Sequence, residues 1–197
     1  MTTPWLVETT LTSDLVSMVP LRIEHAGALV EAASDGELWD LWFTSVPSAD
    51  TVNGYIEKAL QQQQDGTALP FVIIENATQT VVGCTRICNA VEQHKRVEIG
   101  YTWYAKRVQR TAVNRQCKLL LLQLAFEQLN CIAVEFRTHW HNVKSRAAIA
   151  GLGAKQDAVL RNHQIGLDGT IRDTVVFSII ESEWPVVKQS LSFKVKR

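Results

Sequence analysis

Between Glu98 and Phe126 the chain reads EIGYTWYAKRVQRTAVNRQCKLLLLQLAF, and its hydrophobic period changes once within that stretch. Val97 to Tyr104 is rich in β-branched and aromatic residues, which predicts a strand. From Ala112 to Leu129 the period becomes helical: Leu119, Leu122, Ala125, Phe126 and Leu129 form one stripe, with Lys118 and Gln128 outside it. A strand that enters a long helix through so short a loop excludes an all-β or all-helical chain. It also sets the unpaired N–H groups of a helix start beside the end of a strand.

The rest of the chain fits the same class. A strand is predicted near Leu15 to Val19, then helical spacing from Ile23 to Ala33 that buries Ile23, Leu29 and Val30. A second helix is expected from about Ala49 to Gln64, with Ser48 or Asp50 as N-cap, Tyr55, Ile56, Ala59 and Leu60 inward, and Asp65-Gly66 as a stop. Leu69 to Glu75, Thr80 to Ala90 and Val97 to Tyr104 read as an antiparallel meander. After the long helix come a strand (Ile132 to His139), a short helix (Val143 to Ala150) closed by Gly151 and Gly153, and a strand from Ala154 to Arg161. Asp168-Gly169 predicts a tight turn into Ile171 to Ile180, and an amphipathic tail starts at Trp184.

Neither a repeat nor a break in composition divides the 197 residues, so one α/β domain is expected, its core from about 15 to 185. Lys plus Arg and Asp plus Glu each total 20, so no net field draws the chain to nucleic acid or anionic lipid. The longest strongly apolar run, Leu119 to Leu122, is far short of the roughly 20 residues that cross a bilayer. The opening MTTPWLVETT lacks the features of a secretory leader, so a cytoplasmic setting is expected. Cys84, Cys88, Cys117 and Cys131 lack paired metal-ligand spacing and read as buried free thiols. His139 and His141 flank Trp140 on one strand face but lack a third ligand nearby, so no metal is expected.

The loop Val108 to Arg115 is a candidate anion cradle, because the first helical turn offers free amides and the positive end of the helix dipole. Arg107, Arg110 and Arg115 add charge suited to phosphate, and Thr111 adds a hydroxyl. On spacing alone, three arginines that merely decorate a surface fit equally well. Neither a G-x-x-x-x-G-K-[ST] loop nor a G-x-G-x-x-G fingerprint is present.

Several segments together carry a family resemblance: EIGYTWY at 98–104, QRTAVN at 109–114, N-V-K-S at 142–145, LGA at 152–154 and DGTIRDTVVFS at 168–178. From about Leu15 to Pro185 the chain resembles the GNAT superfamily of acyl-CoA-dependent N-acyltransferases, in particular its RimJ/RimL-like branch. The resemblance implies a mixed, mostly antiparallel sheet with one splayed pair of parallel strands, here those holding Glu98 to Tyr104 and Ile132 to His139. It implies acetyl-CoA as cosubstrate, no metal, and a primary amine as acceptor, either a protein N-terminus or a small molecule. Homodimers are compatible with it. A non-catalytic CoA-binding module with a protein partner is the alternative.

The family's Q-x-x-G-x-G/A loop wraps the CoA pyrophosphate with main-chain N–H groups. Its match is Gln109, Arg110, Thr111, Ala112, Val113 and Asn114, followed by Arg115, with Ala112 and Asn114 at the glycine positions. Both depart from the family's pattern: Ala112 adds a methyl where the backbone approaches phosphate closely, and Asn114 tolerates left-handed backbone better than most residues, so CoA binding is expected to be retained. By resemblance, main-chain groups of Thr102, Trp103 and Tyr104 pair with the pantetheine arm. Asn142 and Ser145 match the family's N-x-x-S, with Asn142 on the arm or as an N-cap and Ser145 near the sulfur. Glu98 is the first candidate base, its pKa raised by partial burial; exposure to solvent or pairing with Arg96 is the other reading. His163 is the second candidate base. The hairpin Glu of related ribosomal-protein acetyltransferases has its nearest match at Ile165, which cannot serve. Asp173 is expected to orient Arg172 or the hairpin. Trp39, Trp42 and Phe43 either line the acceptor side or fill the core.

Overall fold

One twisted sheet of eight strands organises the chain, in the order β1-β2-β3-β4-β5-β6-β8-β7. A computed structural model describes residues 4–166 and 168–196. The strands are β1 (Leu11–Thr12), β2 (Val16–Pro20), β3 (Leu69–Glu75), β4 (Thr80–Val91), β5 (Arg96–Tyr104), β6 (Ala133–His139), β7 (Lys155–Ile165) and β8 (Ile171–Ile180). Every neighbouring pair is antiparallel except β5 and β6. The mixed, mostly antiparallel α/β class expected from the sequence is therefore the observed one.

The helices are α1 (Ala26–Ser34), α2 (Val52–Gln64), α3 (Ala112–Gln123), α4 (Val143–Leu152) and α5 (Trp184–Val195). Two helix starts lie later than their spacing suggests. Ile23–His25 is a separate tight turn, so Ile23 is 49% exposed rather than buried. The second helix begins at Val52, because Ser48 and Thr51 close a turn of their own, the Ser48 N–H donating to Thr51 Oγ1 at 2.9 Å. Leu29, Ile56 and Ala59 are fully buried as expected; each aliphatic side chain of the size of Leu or Ile so buried contributes roughly 1.5–3 kcal/mol.

Strand alternation separates the two faces of the sheet. On one face Cys84 Sγ meets Tyr55 Oη of α2 at 2.9 Å, and Arg86 donates to Gln62 of the same helix at 2.5 Å. On the other, Thr85 meets Thr102 under α3. Helix α3 packs on α5, with Phe126 and Trp184 stacked at 5.2 Å. Beyond Gln123, α3 runs on as one wider turn through Gln128 and stops at Asn130, whose φ is +53°. Gly153, at φ +107°, caps α4 in the left-handed region, where a side chain would be strained. The four cysteines are free and buried.

Candidate active site

The parallel strands β5 and β6 pair at only three positions, Arg96↔Ala133, Val97↔Val134 and Glu98↔Glu135. Among the described residues the edge of β5 facing β6 has no strand partner from Ile99 onward, so the two strands part. A β-bulge turns β5 at that point. Between the pairs Cys84↔Trp103 and Arg86↔Gly100, β4 contributes Thr85 alone while β5 contributes Tyr101 and Thr102. Tyr101 takes φ +51°, and the Arg86 guanidinium lies over its ring at 4.1 Å. Trp103 and Tyr104 are buried, and the Tyr104 carbonyl accepts a hydrogen bond from Gln109 Nε2 at 2.9 Å.

Lys118 stands on the α3 side of this opening. Its charge suggests a place outside the helix stripe, yet it is 5% exposed, donates to Thr102 Oγ1 at 2.6 Å and lies 6.0 Å from the centre of the Phe136 ring on β6. Burial brings its pKa down to about 8. Lys118 shares helical spacing with the fully buried Leu121, Leu122 and Ala125, at i+3, i+4 and i+7. That spacing is the available signal.

At the other end of β5 the chain enters α3. Thr111 is the N-cap: its Oγ1 accepts from the Val113 N–H at 3.2 Å and donates to the Val108 carbonyl at 2.7 Å. The hydroxyl expected for phosphate is thus held by the cap, as is the Val113 amide. Among the described residues nothing accepts from the amides of Arg110, Thr111, Ala112 and Asn114. Ala112 and Asn114 lie within the first helical turn, and Arg110 is the left-handed residue, at φ +65°. Ala112 and Asn114 therefore need no glycine conformation here, and the tolerance of Asn114 for left-handed backbone is not called on. Arg110 is exposed and Arg115 half-buried at this turn. Arg107 faces elsewhere, donating to Glu75 at 2.6 Å and Thr80 at 2.8 Å, so it does not add to the anion site.

Glu98 sits at the last paired position before the strands part and is 8% exposed. Gly100 makes room for its carboxyl: a Cβ there would lie 3.0 Å from Glu98 Oε1. Burial raises the Glu98 pKa, while the hydrogen bond from Asn89 Nδ2 (2.8 Å) and the charge of Arg137 (3.7 Å) oppose the rise. Arg96 pairs with Glu135 at 3.5 Å and not with Glu98, whose partner is Arg137.

Strand register continues this face across the sheet through Glu135↔Ser178, Arg137↔Val176 and His139↔Thr174. Thr174 Oγ1 joins His163 Nδ1 (3.1 Å) to Arg172 Nε (3.2 Å). Asp173 does not orient Arg172; it accepts from Arg161 Nε and the Asn162 N–H, which brace the hairpin. Trp39 packs against the core, whereas Trp42 is 61% exposed and overhangs the sheet. The Trp42 ring lies 5.0 Å from His139, 5.6 Å from His141 and 5.5 Å from Phe43. Burial, with the charges of Arg172 and His141, lowers the His139 pKa. Asn142 caps α4, its Oδ1 accepting from the Ser145 N–H at 3.1 Å, and Ser145 is half-buried.

The parallel strand pair thus opens beside a buried carboxyl, and β5 leads on into the open amides of a helix start. The family model for the acetyltransferase (GNAT) domain matches residues 16–155, and the chain belongs to that family of N-acetyltransferases. It is similar to a T. thermophilus structure described as an acetyltransferase: 27% identity, 96% of this chain and 98% of the other, TM-score 0.85. A GCN5-related N-acetyltransferase from Brucella melitensis shares the fold: 23% identity, 98% and 87% coverage, TM-score 0.86. So does Mycobacterium smegmatis RimJ in complex with CoA-disulfide: 20% identity, 95% and 93% coverage, TM-score 0.77. No curated protein matches the chain. No helix among the described residues is long and apolar enough to cross a membrane.

Proposed function

We propose that this protein transfers the acetyl group of acetyl-CoA directly to a primary amine, within a ternary complex and as a single RimJ/RimL-like acyltransferase domain. One observation carries the reading: β5 holds a buried carboxyl, Glu98, where the strands part, and leads at its other end into the open amides of α3.

In this reading the amides of Arg110, Thr111, Ala112 and Asn114, with the Arg110 and Arg115 side chains, hold the diphosphate of CoA. The open edge of β5 at Thr102, Trp103 and Tyr104 orients the pantetheine arm. The cosubstrate supplies an activated acyl carbon; the protein supplies alignment and proton transfer. Glu98 takes a proton from the acceptor ammonium, and His163 is the second group able to do so. The amine nitrogen then bonds to the acyl carbon as the carbon–sulfur bond breaks. Ser145 donates a hydrogen bond to the departing sulfur, and the second proton, which the nitrogen sheds as it becomes an amide, passes to that thiolate and gives the thiol, while Asn142 fixes the start of α4 around it. The free thiols accord with a cytoplasmic setting.

The test is thiol release from acetyl-CoA against a panel of free amino acids, peptides and small amines. Turnover that Glu98→Gln abolishes, with CoA still bound, supports the reading. CoA binding without turnover on any amine contradicts it.

A further inference from the structure

Among the described residues two arginines on the Glu98 face of the sheet lack a carboxylate: Arg86, buried and held by Gln62 Oε1 and the Tyr55 and Tyr101 rings, and Arg172, which no ring or amide holds in that way. Arg137 lies against Glu135 and Glu98, and Arg96 against Glu135. Arg172, half-buried on the same face, has no carboxylate within ion-pair distance among the described residues. Its Nε donates to Thr174 Oγ1, leaving the terminal nitrogens of the guanidinium to make further bonds. The neighbouring Asp173 belongs to Arg161 and the Asn162 amide. Glu98, the carboxylate whose charge reaches Arg172, is held by Asn89 and Arg137. A partly desolvated guanidinium that the protein leaves without an anion is costly, and an anion from outside offsets that cost.

We propose that the amine acceptor is a small molecule bearing its own anionic group, which Arg172 binds while Glu98 takes the proton from its nitrogen. The inference rests on the acetyl-transfer reading above. A guanidinium whose two terminal nitrogens are free suits a carboxylate or a phosphate, and a free α-amino acid is the simplest acceptor with an amine and an anion so close together. The overhanging Trp42 ring and His139 give the remainder of such a molecule an aromatic wall.

The experiment compares kcat/KM for free α-amino acids with that for their α-carboxamides, using acetyl-CoA and the full chain. The carboxamide loses its amine proton more readily, so a preference for the acid cannot come from amine basicity. The acid is expected to win by roughly 10-fold or more, the scale of a charge-assisted pair. Arg172→Gln brings the ratio near one, and Arg172→Lys retains part of it. The rise in Tm on adding CoA, measured on each variant, reports that it is folded. Equal rates on acid and amide in the wild type overturn the proposal, as does a ratio that survives Arg172→Gln. Turnover confined to peptides, tested with Asp-first and Asn-first sequences, overturns it too. If no amine at all is acetylated while CoA binds, the acetyl-transfer reading falls with it; turnover without an acid preference removes the anion site alone.

Discussion

The ammonium of Lys118 on α3 donates to the hydroxyl of Thr102 on β5 at 2.6 Å, where the sheet opens between β5 and β6. No carboxylate pairs with that cation among the described residues. The Thr85 hydroxyl, 2.7 Å from Thr102, completes the group.

A pH dependence of stability follows. An unfolded lysine titrates near 10.5, and folded Lys118 at about 8. Between those values the unfolded chain binds a proton that the folded chain has lost, so this residue makes stability rise with pH. Below about 8 both states are protonated and the cost of the buried charge is constant. Lys118→Met, which keeps the volume, is expected to be more stable than wild type at pH 7 by up to about 3 kcal/mol. The gap narrows toward pH 10 in denaturant titrations. A gap independent of pH contradicts this account of Lys118.

Glu98→Gln is expected to lower kcat/KM by roughly 10²- to 10⁴-fold, the range of general base catalysis. Because burial raises the Glu98 pKa, wild-type activity rises with pH through a limb above the ordinary carboxylate range. That limb disappears in Glu98→Gln. If it persists there and vanishes in His163→Ala, the base is His163.

Arg110 and Arg107 separate the diphosphate site from its surroundings. Arg110→Ala weakens CoA binding by roughly 10-fold at low salt, and by less as salt screens an exposed charge. Arg107 is spent on Glu75 and Thr80. Arg107→Ala leaves the Kd for CoA unchanged and costs at most about 1 kcal/mol of stability. Equal effects of the two on Kd in calorimetry contradict the assignment.

Much of the frame is legible in local pattern. The meander β3 to β5 follows from period-two runs with turn residues between them, and the β7–β8 hairpin from Asp168-Gly169. Chain pattern alone does not reveal which strands lie parallel; the family resemblance does. The site is less legible, because its side chains meet through contacts distant in sequence. His139 and His141 read as a weak metal pair, yet they lie beneath Trp42, nearly a hundred residues earlier. Lys118 reads as a surface residue when its charge is weighed above its helical spacing. Arg107 looks like one of three phosphate arginines until Glu75, from another strand, is seen to be its partner.

Trp42 exposes an aromatic ring over the acceptor face, so its loss bears on the acceptor and not on the acyl donor. Trp42→Ala is expected to raise the acceptor KM several-fold, with the Kd for CoA within about twofold of wild type. A change in CoA affinity with an unaltered acceptor KM places that ring elsewhere in the reaction.

The most direct measurement is residue-resolved amide hydrogen exchange across the α3 start, with and without saturating CoA. Exchange at Arg110, Thr111, Ala112 and Asn114 slows on binding, while Val113, already bonded to the Thr111 hydroxyl, changes little. If those four amides exchange at the same rate with CoA bound, the helix start does not hold the diphosphate, and the assignment of this cleft fails.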